Sequence, residues 1–240
     1  MLDRVPCFPA SLKEAAPRKG FIEDEQYAVL AANAKPLWMR TLIACAYAFG
    51  FRRGEMLNLR VRQVDFFGRW LQLEEGTTKN DEGRKVKMTG EVYTLMLEAT
   101  RGKNPDDFVF TREDGEHVCD PRDDWYALCV TSKLGQFVPA KRKTGEDYKK
   151  YVGLNLHDFR RAAIIKMDRR GVSRSVAVRI SGHKTESVYR RYRIVNETDL
   201  ADATAKMEVR GQVSGASTET STKTDTQAIP LENSRAQKLA

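Results

Sequence analysis

The sequence predicts a mainly helical α+β domain with a small three-stranded antiparallel sheet inserted after the third helix. Three observations support this class. Most segments between residues 21 and 208 carry apolar residues at helical spacing, and several end at a glycine. Three short strand-like runs follow one another between residues 63 and 88. From about residue 211 the chain is rich in Ser, Thr and Gln, which is typical of a disordered tail.

Three helices are expected before the sheet. "FIEDEQYAVLAANA" has acidic residues at its start and the apolar stripe Tyr27, Leu30 and Ala31. "LWMRTLIACAYAFG" is strongly apolar and is closed by Gly50, and "RRGEMLNL" starts a third, short helix. Residues 1–20 show no periodicity, so we expect a linker there.

The runs "QVDFF", "RWLQLEE" and "RKVKM" predict the three strands. Turn-prone residues separate them, namely Phe67-Gly68 and the segment "TTKNDEG". Short turns between successive strands favour antiparallel pairing.

More helices are expected after the sheet. "TGEVYTLMLEATRG" and "PRDDWYALCVTSKLG" have helical spacing, with the short extended run "DFVF" between them. Residues 141–150, "KRKTGEDYKK", are expected to form a charged loop. Helices then follow in "NLHDFRRAAIIKMDRRG", "SRSVAVRISG", residues 185–194 and "ETDLADATAKMEV", the last with Leu200, Ala203 and Met207 on one stripe. The expected organisation is a linker (1–20), one domain (21–210) and a disordered tail (211–240).

The positive charge is concentrated in one segment. The chain of 240 residues has a net charge of +8, and His157 to Arg193 contains eleven Lys and Arg against three acidic residues. Such a segment favours a polyanionic partner, most simply nucleic acid, although a solvated Arg-rich helix face would look similar. The sequence has no apolar run long enough for a membrane span, no signal peptide and no CxxC spacing. We therefore expect a cytoplasmic, nucleoid-associated protein with reduced thiols and no membrane partner.

Several polar residues are placed where they could act on an anion. His157 begins a helix and shares a face with Arg160, three residues on. His183 follows a glycine, and Tyr192 comes nine residues later. The remaining members of this group are Arg52, Arg53, Glu55 and Lys79.

Each of these residues also has an ordinary structural interpretation. Arg52 could pair with Glu55 on the helix surface, and either histidine could cap its helix. Lys79 lies in an exposed turn, with Lys85 and Lys87 nearby. Tyr189 lies three residues before Tyr192 and shares its helix face, so the helix alone does not choose between the two tyrosines.

The order and spacing of these residues resemble the catalytic domain of the tyrosine recombinases, the phage integrase family, across residues 20–208. The segments that carry the resemblance are "FGFRRGEM", "TTKNDEGRKVKM", "HDFR", "SGH" and "RRY". The chain departs from the usual pattern at Phe49, Arg161 and Ser181, where Thr, His and Leu are typical. None of these departures removes a reacting group.

The resemblance implies that DNA strands are cleaved and rejoined through a covalent 3′-phosphotyrosine. Its implied catalytic residues are Arg52, Lys79, His157, Arg160, His183 and Tyr192, with Glu55 as support. The two arginines would hold the phosphate oxygens, Tyr192 would attack phosphorus, and His157 would accept the tyrosine proton. His183 would donate to the phosphate, and Lys79 would protonate the leaving 5′ oxygen. Neither a metal nor another cofactor is expected.

The expected partner is double-stranded DNA. Residues expected to contact it are Arg53, Lys141, Arg142, Lys143, Arg161, Arg190 and Arg191. Family members form tetramers on recombining sites and usually carry an N-terminal DNA-binding domain, so we expect homo-oligomers or pairing with a full-length integrase. The chain starts inside what resembles the linker between the two domains, so we expect a truncated or internally initiated integrase, or a fragment of a longer gene. The alternatives are a non-catalytic DNA-binding remnant and a strand transferase like the type IB topoisomerases.

Overall fold

The computed structural model describes residues 21–74, residues 83–183, and residues 200–207 except 202 and 206. The chain divides into two compact units, residues 1–194 and 195–240. In the first unit, seven helices of at least five residues and five strands are present within the described ranges. The helices are α1 (Asp24–Asn33), α2 (Leu37–Phe49), α3 (Arg53–Leu57), α4 (Gly90–Ala99), α5 (Arg122–Thr131), α6 (Asp158–Arg169) and α7 (Arg174–Ser181). The strands are β1 (Val64–Asp65), β2 (Trp70–Leu73), β3 (Arg84–Lys87), β4 (Gly135–Lys141) and β5 (Asp147–Gly153).

Helix α2 is the centre of the hydrophobic core. Ten of its thirteen residues are buried, and the helix contacts α1, α3, α4 and α6. A helix that is apolar on all sides can be stable only when neighbours cover it on all sides. The sequence prediction of a strongly apolar second helix closed by Gly50 is confirmed, since Gly50 takes the left-handed conformation directly after α2.

The predicted three-stranded antiparallel sheet is confirmed, with strand order β1-β2-β3. Strand β2 pairs with β3 in a register that places Leu71 opposite Val86 and Leu73 opposite Arg84. One face of β3 is buried and the other is exposed. The mainly helical α+β class is therefore correct.

The prediction of a charged loop at residues 141–150 is correct for residues 142–146, which connect β4 to β5, but wrong for Lys141 and residues 147–150, which are paired strand residues of this hairpin. Gly145 takes a left-handed conformation at the tip, where Arg142 N–H donates to the Glu146 carbonyl. At the base, the ring of Tyr126 on α5 stacks on Tyr151 at 4.0 Å between centroids. Most hairpin residues are exposed on both faces, so the apolar-polar alternation that signals a half-buried strand is missing.

The described residues of the second unit, from Leu200 to Met207, are helical, as the sequence predicts. The stripe Leu200, Ala203 and Met207 is exposed. The expected helix at 185–194 lies outside the described residues, as do the expected linker and tail.

Candidate active site

The ends of α2, α6 and α7 meet where the sequence places its candidate residues. Gly50 ends α2 and leads to Arg52, while His157 and Arg160 lie at the beginning of α6, and His183 follows α7. A Cβ atom at position 50 would lie 3.1 Å from the Ala163 side chain and 3.3 Å from the Arg160 backbone. Gly50 therefore ends α2 and also lets α6 approach closely. Its carbonyl accepts a hydrogen bond from Arg160 Nη1 at 2.5 Å.

The Glu55 carboxylate lies between two guanidinium groups. Arg52 Nη1 donates to Glu55 Oε1 at 2.9 Å, and the Arg52 backbone N–H donates to Oε2 at 3.0 Å. On the other side of the carboxylate, Arg84 of β3 donates from Nη2 to Glu55 Oε2, with 2.6 Å between the two atoms. Burial alone would raise the pKa of Glu55, but Arg84 and then Arg52 hold that pKa below its ordinary value. Glu55 is therefore ionised at neutral pH and fixes the position of Arg52.

Arg160 and His183 are in direct contact and both are buried. Arg160 Nε lies 3.2 Å from His183 Nε2, and Ser181 Oγ lies 2.7 Å from His183 Nδ1. A guanidinium can only donate, so His183 Nε2 must be the acceptor and the ring proton must be on Nδ1. Ser181 Oγ then accepts from Nδ1–H and donates to the Ala177 carbonyl at 2.7 Å. This chain of donors fixes one neutral tautomer of His183.

The electrostatic environment keeps both histidines neutral. Burial, followed by the charges of Arg160 and Arg52, lowers the pKa of His183 to about 3. His157 lies at the edge of the site, where lost hydration and then the charge of Arg160 lower its pKa. A neutral His157 can accept a proton near pH 7. A bound phosphate would bring negative charge and raise both pKa values, which would allow His183 to become a donor.

The described residues bring together Arg52, Glu55, His157, Arg160 and His183. Lys79, Tyr189, Arg190, Arg191 and Tyr192 lie outside the described residues, so their roles stay predictions. Of the two rivals to Lys79, Lys85 is exposed on β3. Lys87 Nζ donates to the Gly68 carbonyl at 2.8 Å.

The residues expected to contact DNA differ in accessibility. Arg53 is exposed and lies 3.4 Å from the Asp120 carboxylate. Lys141, Arg142 and Lys143 are exposed at the tip of the β4–β5 hairpin. Arg161 is only 7% exposed, so it offers much less surface to a DNA backbone than the others.

Two residues of the site were not singled out by the sequence pattern, Arg84 and Ser181. A signal for Arg84 was present in the sequence. Every second residue of a strand lies on the same face, so Arg84 shares the apolar face of the predicted strand with Val86 and Met88. A cation on the buried face of a strand indicates a buried partner. Ser181 stood out only as a departure from the family pattern, which does not indicate a contact with His183.

Within the described residues, no helix is long and apolar enough to cross a membrane. Among the same residues, no cluster of His, Cys, Asp and Glu could hold a metal ion.

Comparisons with known proteins identify the family and the fold. A tyrosine recombinase of Thermosipho africanus (strain TCF52B) is 26% identical over 187 residues, which cover 77% of this chain and 60% of that relative. The chain therefore spans about three fifths of the length of this relative. Residues 21–199 match the sequence model of the phage integrase family.

Three solved structures share the fold. The XerA recombinase has a TM-score of 0.61 at 16% identity, covering 78% of this chain and 65% of that one. The Tn1549 transposon integrase has a TM-score of 0.61 at 16% identity, covering 83% of this chain and 68% of that one. The catalytic domain of bacteriophage HP1 integrase has a TM-score of 0.53 at 16% identity, covering 77% of this chain and 93% of that domain. The fold is that of the tyrosine recombinase catalytic domain, and the chain belongs to the phage integrase family.

Proposed function

We propose that this chain cleaves and rejoins DNA strands through a covalent 3′-phosphotyrosine at Tyr192, as a site-specific recombinase or integrase. The observation that carries the proposal is the convergence of Arg52, His157, Arg160 and His183, which come from three separate segments of the chain. The Tn1549 integrase was solved in complex with a circular intermediate DNA, which supports DNA as the partner.

The first step forms the covalent bond. The Tyr192 oxygen attacks phosphorus, its proton passes to the neutral His157 ring, and the bond to the 5′ oxygen breaks. Arg52 and Arg160 stabilise the charge that develops on the nonbridging oxygens. Lys79 gives a proton to the leaving 5′ oxygen. Rejoining reverses these proton transfers, with a 5′-hydroxyl attacking the phosphotyrosine.

Before DNA binds, the contact between His183 and Arg160 favours a positioning role for the histidine. His183 Nε2 accepts from Arg160 Nε and so orients that guanidinium. Once the phosphate is bound, its charge favours protonation of His183. The Arg160 Nε–H must then turn from Nε2 to the phosphate, and Nε2–H can donate to a phosphate oxygen.

Covalent capture tests this function. The chain is incubated at low salt with a library of randomised duplexes carrying one nick, so that the short 5′-hydroxyl strand diffuses away after cleavage. The protein–DNA adducts are separated on a denaturing gel and sequenced. Tyr192→Phe should abolish the adduct because it removes the nucleophile, while Tyr189→Phe should retain it. An adduct that persists in Tyr192→Phe and disappears in Tyr189→Phe would overturn the assignment of the nucleophile.

The proposal also includes the assembly of this chain with other protein chains. The chain covers only part of its curated relative, so assembly into a tetramer or with a longer integrase is part of the proposal. Analytical ultracentrifugation on captured DNA would measure the number of protomers per site.

A further inference from the structure

Arg84 and Glu55 form a buried ion pair directly behind Arg52. Their side chains are 6% and 2% exposed, and Arg84 Nη2 lies 2.6 Å from Glu55 Oε2. Arg52, the residue at the front, is 24% exposed and contacts the other oxygen of the same carboxylate at 2.9 Å. One carboxylate is thus shared by two guanidinium groups, and the cluster keeps a net charge of +1.

The charge balance of this cluster indicates what Arg84 contributes to the site. With Arg52 as its sole partner, Glu55 would orient that guanidinium but also cancel its charge. Interactions between charges are strong in a site that excludes water, so the cancellation would weaken the attraction of Arg52 for a phosphate. The charge of Arg84 compensates for that of Glu55, and Arg52 then keeps its own charge.

We propose that Arg84 is a positioning residue: it neutralises Glu55, which can then orient Arg52 without cancelling the charge that Arg52 presents to the phosphate. This inference rests on the proposed function, because it assigns Arg84 to the same cleavage reaction. Arg84 itself acts only through Glu55 and Arg52.

Arg84 also ties β3 to the segment that carries His183. Its Nε donates to the Ile180 carbonyl at 3.1 Å, and its guanidinium lies 5.0 Å from the centre of the Phe51 ring. A Cβ atom at position 182 would lie 2.5 Å from Arg84 Nη1, so the guanidinium occupies the space that Gly182 leaves open. One side chain therefore joins β3, α3 and the end of α7.

Neighbouring cations on the same strand do not substitute for Arg84. Successive residues of β3 point to opposite faces, and Lys85 and Lys87 are on the exposed face. Lys87 donates to the Gly68 carbonyl and lies over the Trp70 ring. Replacing Arg84 therefore removes the charge that balances Glu55.

The key test is a suppressor experiment on the rate of adduct formation at saturating nicked DNA. Arg84→Met should slow the reaction by about 10²-fold, which is typical when one charge-stabilising donor is lost. Glu55→Gln added to Arg84→Met should restore much of the rate, because Arg52 then has no carboxylate to cancel its charge. Arg84→Lys keeps the charge and should lose less than Arg84→Met.

A methylphosphonate at the scissile position separates this role from a purely structural one. That linkage carries no negative charge on its nonbridging oxygen, so the charge of Arg52 matters less. The defect of Arg84→Met should shrink to less than about tenfold on this substrate. A general loss of structure would slow both substrates equally. Arg112→Met, which removes an exposed ion pair with Asp124, is the matched control and should react like the wild type on both.

The outcomes distinguish a failure of the proposed function from a failure of the role proposed for Arg84. A wild-type chain that forms no adduct would overturn the proposed function, and this inference with it. An active wild type with equally active Arg84→Met would overturn the inference alone, and so would a double variant no faster than Arg84→Met. Thermal unfolding of each variant is measured in parallel. If Arg84→Met does not fold, the rates of Arg84→Lys and of the double variant test the role of Arg84.

Discussion

At the scale of single residues, Ser181 determines how the neighbouring histidine presents its ring. Its hydroxyl accepts from His183 Nδ1–H and donates to the Ala177 carbonyl, so both ends of the hydroxyl are used. The family pattern has an apolar residue here, which cannot accept from the ring. In this chain the acceptor is built into the last turn of α7, two residues before the ring that it holds.

Replacing Ser181 with Ala should release the His183 ring. The buried Nδ1–H group would lose its acceptor, which costs about 1–3 kcal/mol of unfolding free energy. The ¹⁵N chemical shift of Nδ1 should change because its N–H loses the acceptor, while Arg160 Nε still donates to Nε2 and keeps the same tautomer. Ser132→Ala is the matched control, because Ser132 is buried and its hydroxyl has no hydrogen-bond partner within the described residues. Unchanged ring shifts in Ser181→Ala would contradict this role.

Sequence reasoning identified residue types and order well but could not supply the contacts between distant segments. Through its resemblance to the family, the sequence identified Arg52, Glu55, His157, Arg160 and His183, and these residues lie close together in the structure. The contact of Arg84 with Glu55 joins residues 29 positions apart, and no periodic pattern encodes it. Hydrogen-bond partners across elements depend on how the helices pack, which local propensity does not determine.

At the scale of elements, prediction succeeded where a segment has one buried face or an apolar interior. Helix α2 and the strands around Leu71 and Val86 are such cases. The sequence prediction missed the strands of the β4–β5 hairpin. These strands are stabilised by mutual pairing and by aromatic contacts at the base, while the outer part of the hairpin carries charge on both faces. The pairing of Lys141 with Asp147 is visible only after the turn at Gly145 is placed.

The hairpin tip should contribute contacts to the DNA backbone. Lys141→Ala, Arg142→Ala and Lys143→Ala combined should weaken DNA binding, because three exposed cations are lost. Each lost phosphate contact should reduce the slope of log K against log salt by about 0.9. Fluorescence anisotropy at several salt concentrations measures this slope, and the melting temperature should stay unchanged because the side chains are exposed.

A matched control for the hairpin removes three exposed cations elsewhere, Lys35, Arg40 and Arg101. Arg40 lies in the first turn of α2, about 15 Å along the helix from its Gly50 end, and Lys35 precedes this helix. If the control variant reduces the slope as much as the hairpin variant, general charge and not the hairpin accounts for the binding.

At the scale of the whole molecule, the site places like charges together. Arg52, Arg84 and Arg160 surround two histidines, and Glu55 is the acidic residue that contacts two of these arginines. Such a cluster favours an anion and disfavours further protons on the histidines. The same field that prepares the site for a phosphate therefore affects the stability of the folded chain.

Stability should fall as the pH drops from 7 to 5. The folded state lowers the pKa of His183 to about 3 and also lowers that of His157, while both ionise near 6.5 when unfolded. Below about pH 6.5 the unfolded chain therefore binds more protons, and the buried His183 reduces the unfolding free energy by up to about 1.4 kcal/mol per pH unit, whereas the exposed His157 contributes less because solvent screens its charge. Urea unfolding at each pH measures this slope. His157→Gln combined with His183→Gln should flatten it, and a wild-type stability that stays level or rises toward pH 5 would contradict neutral histidines in the folded site.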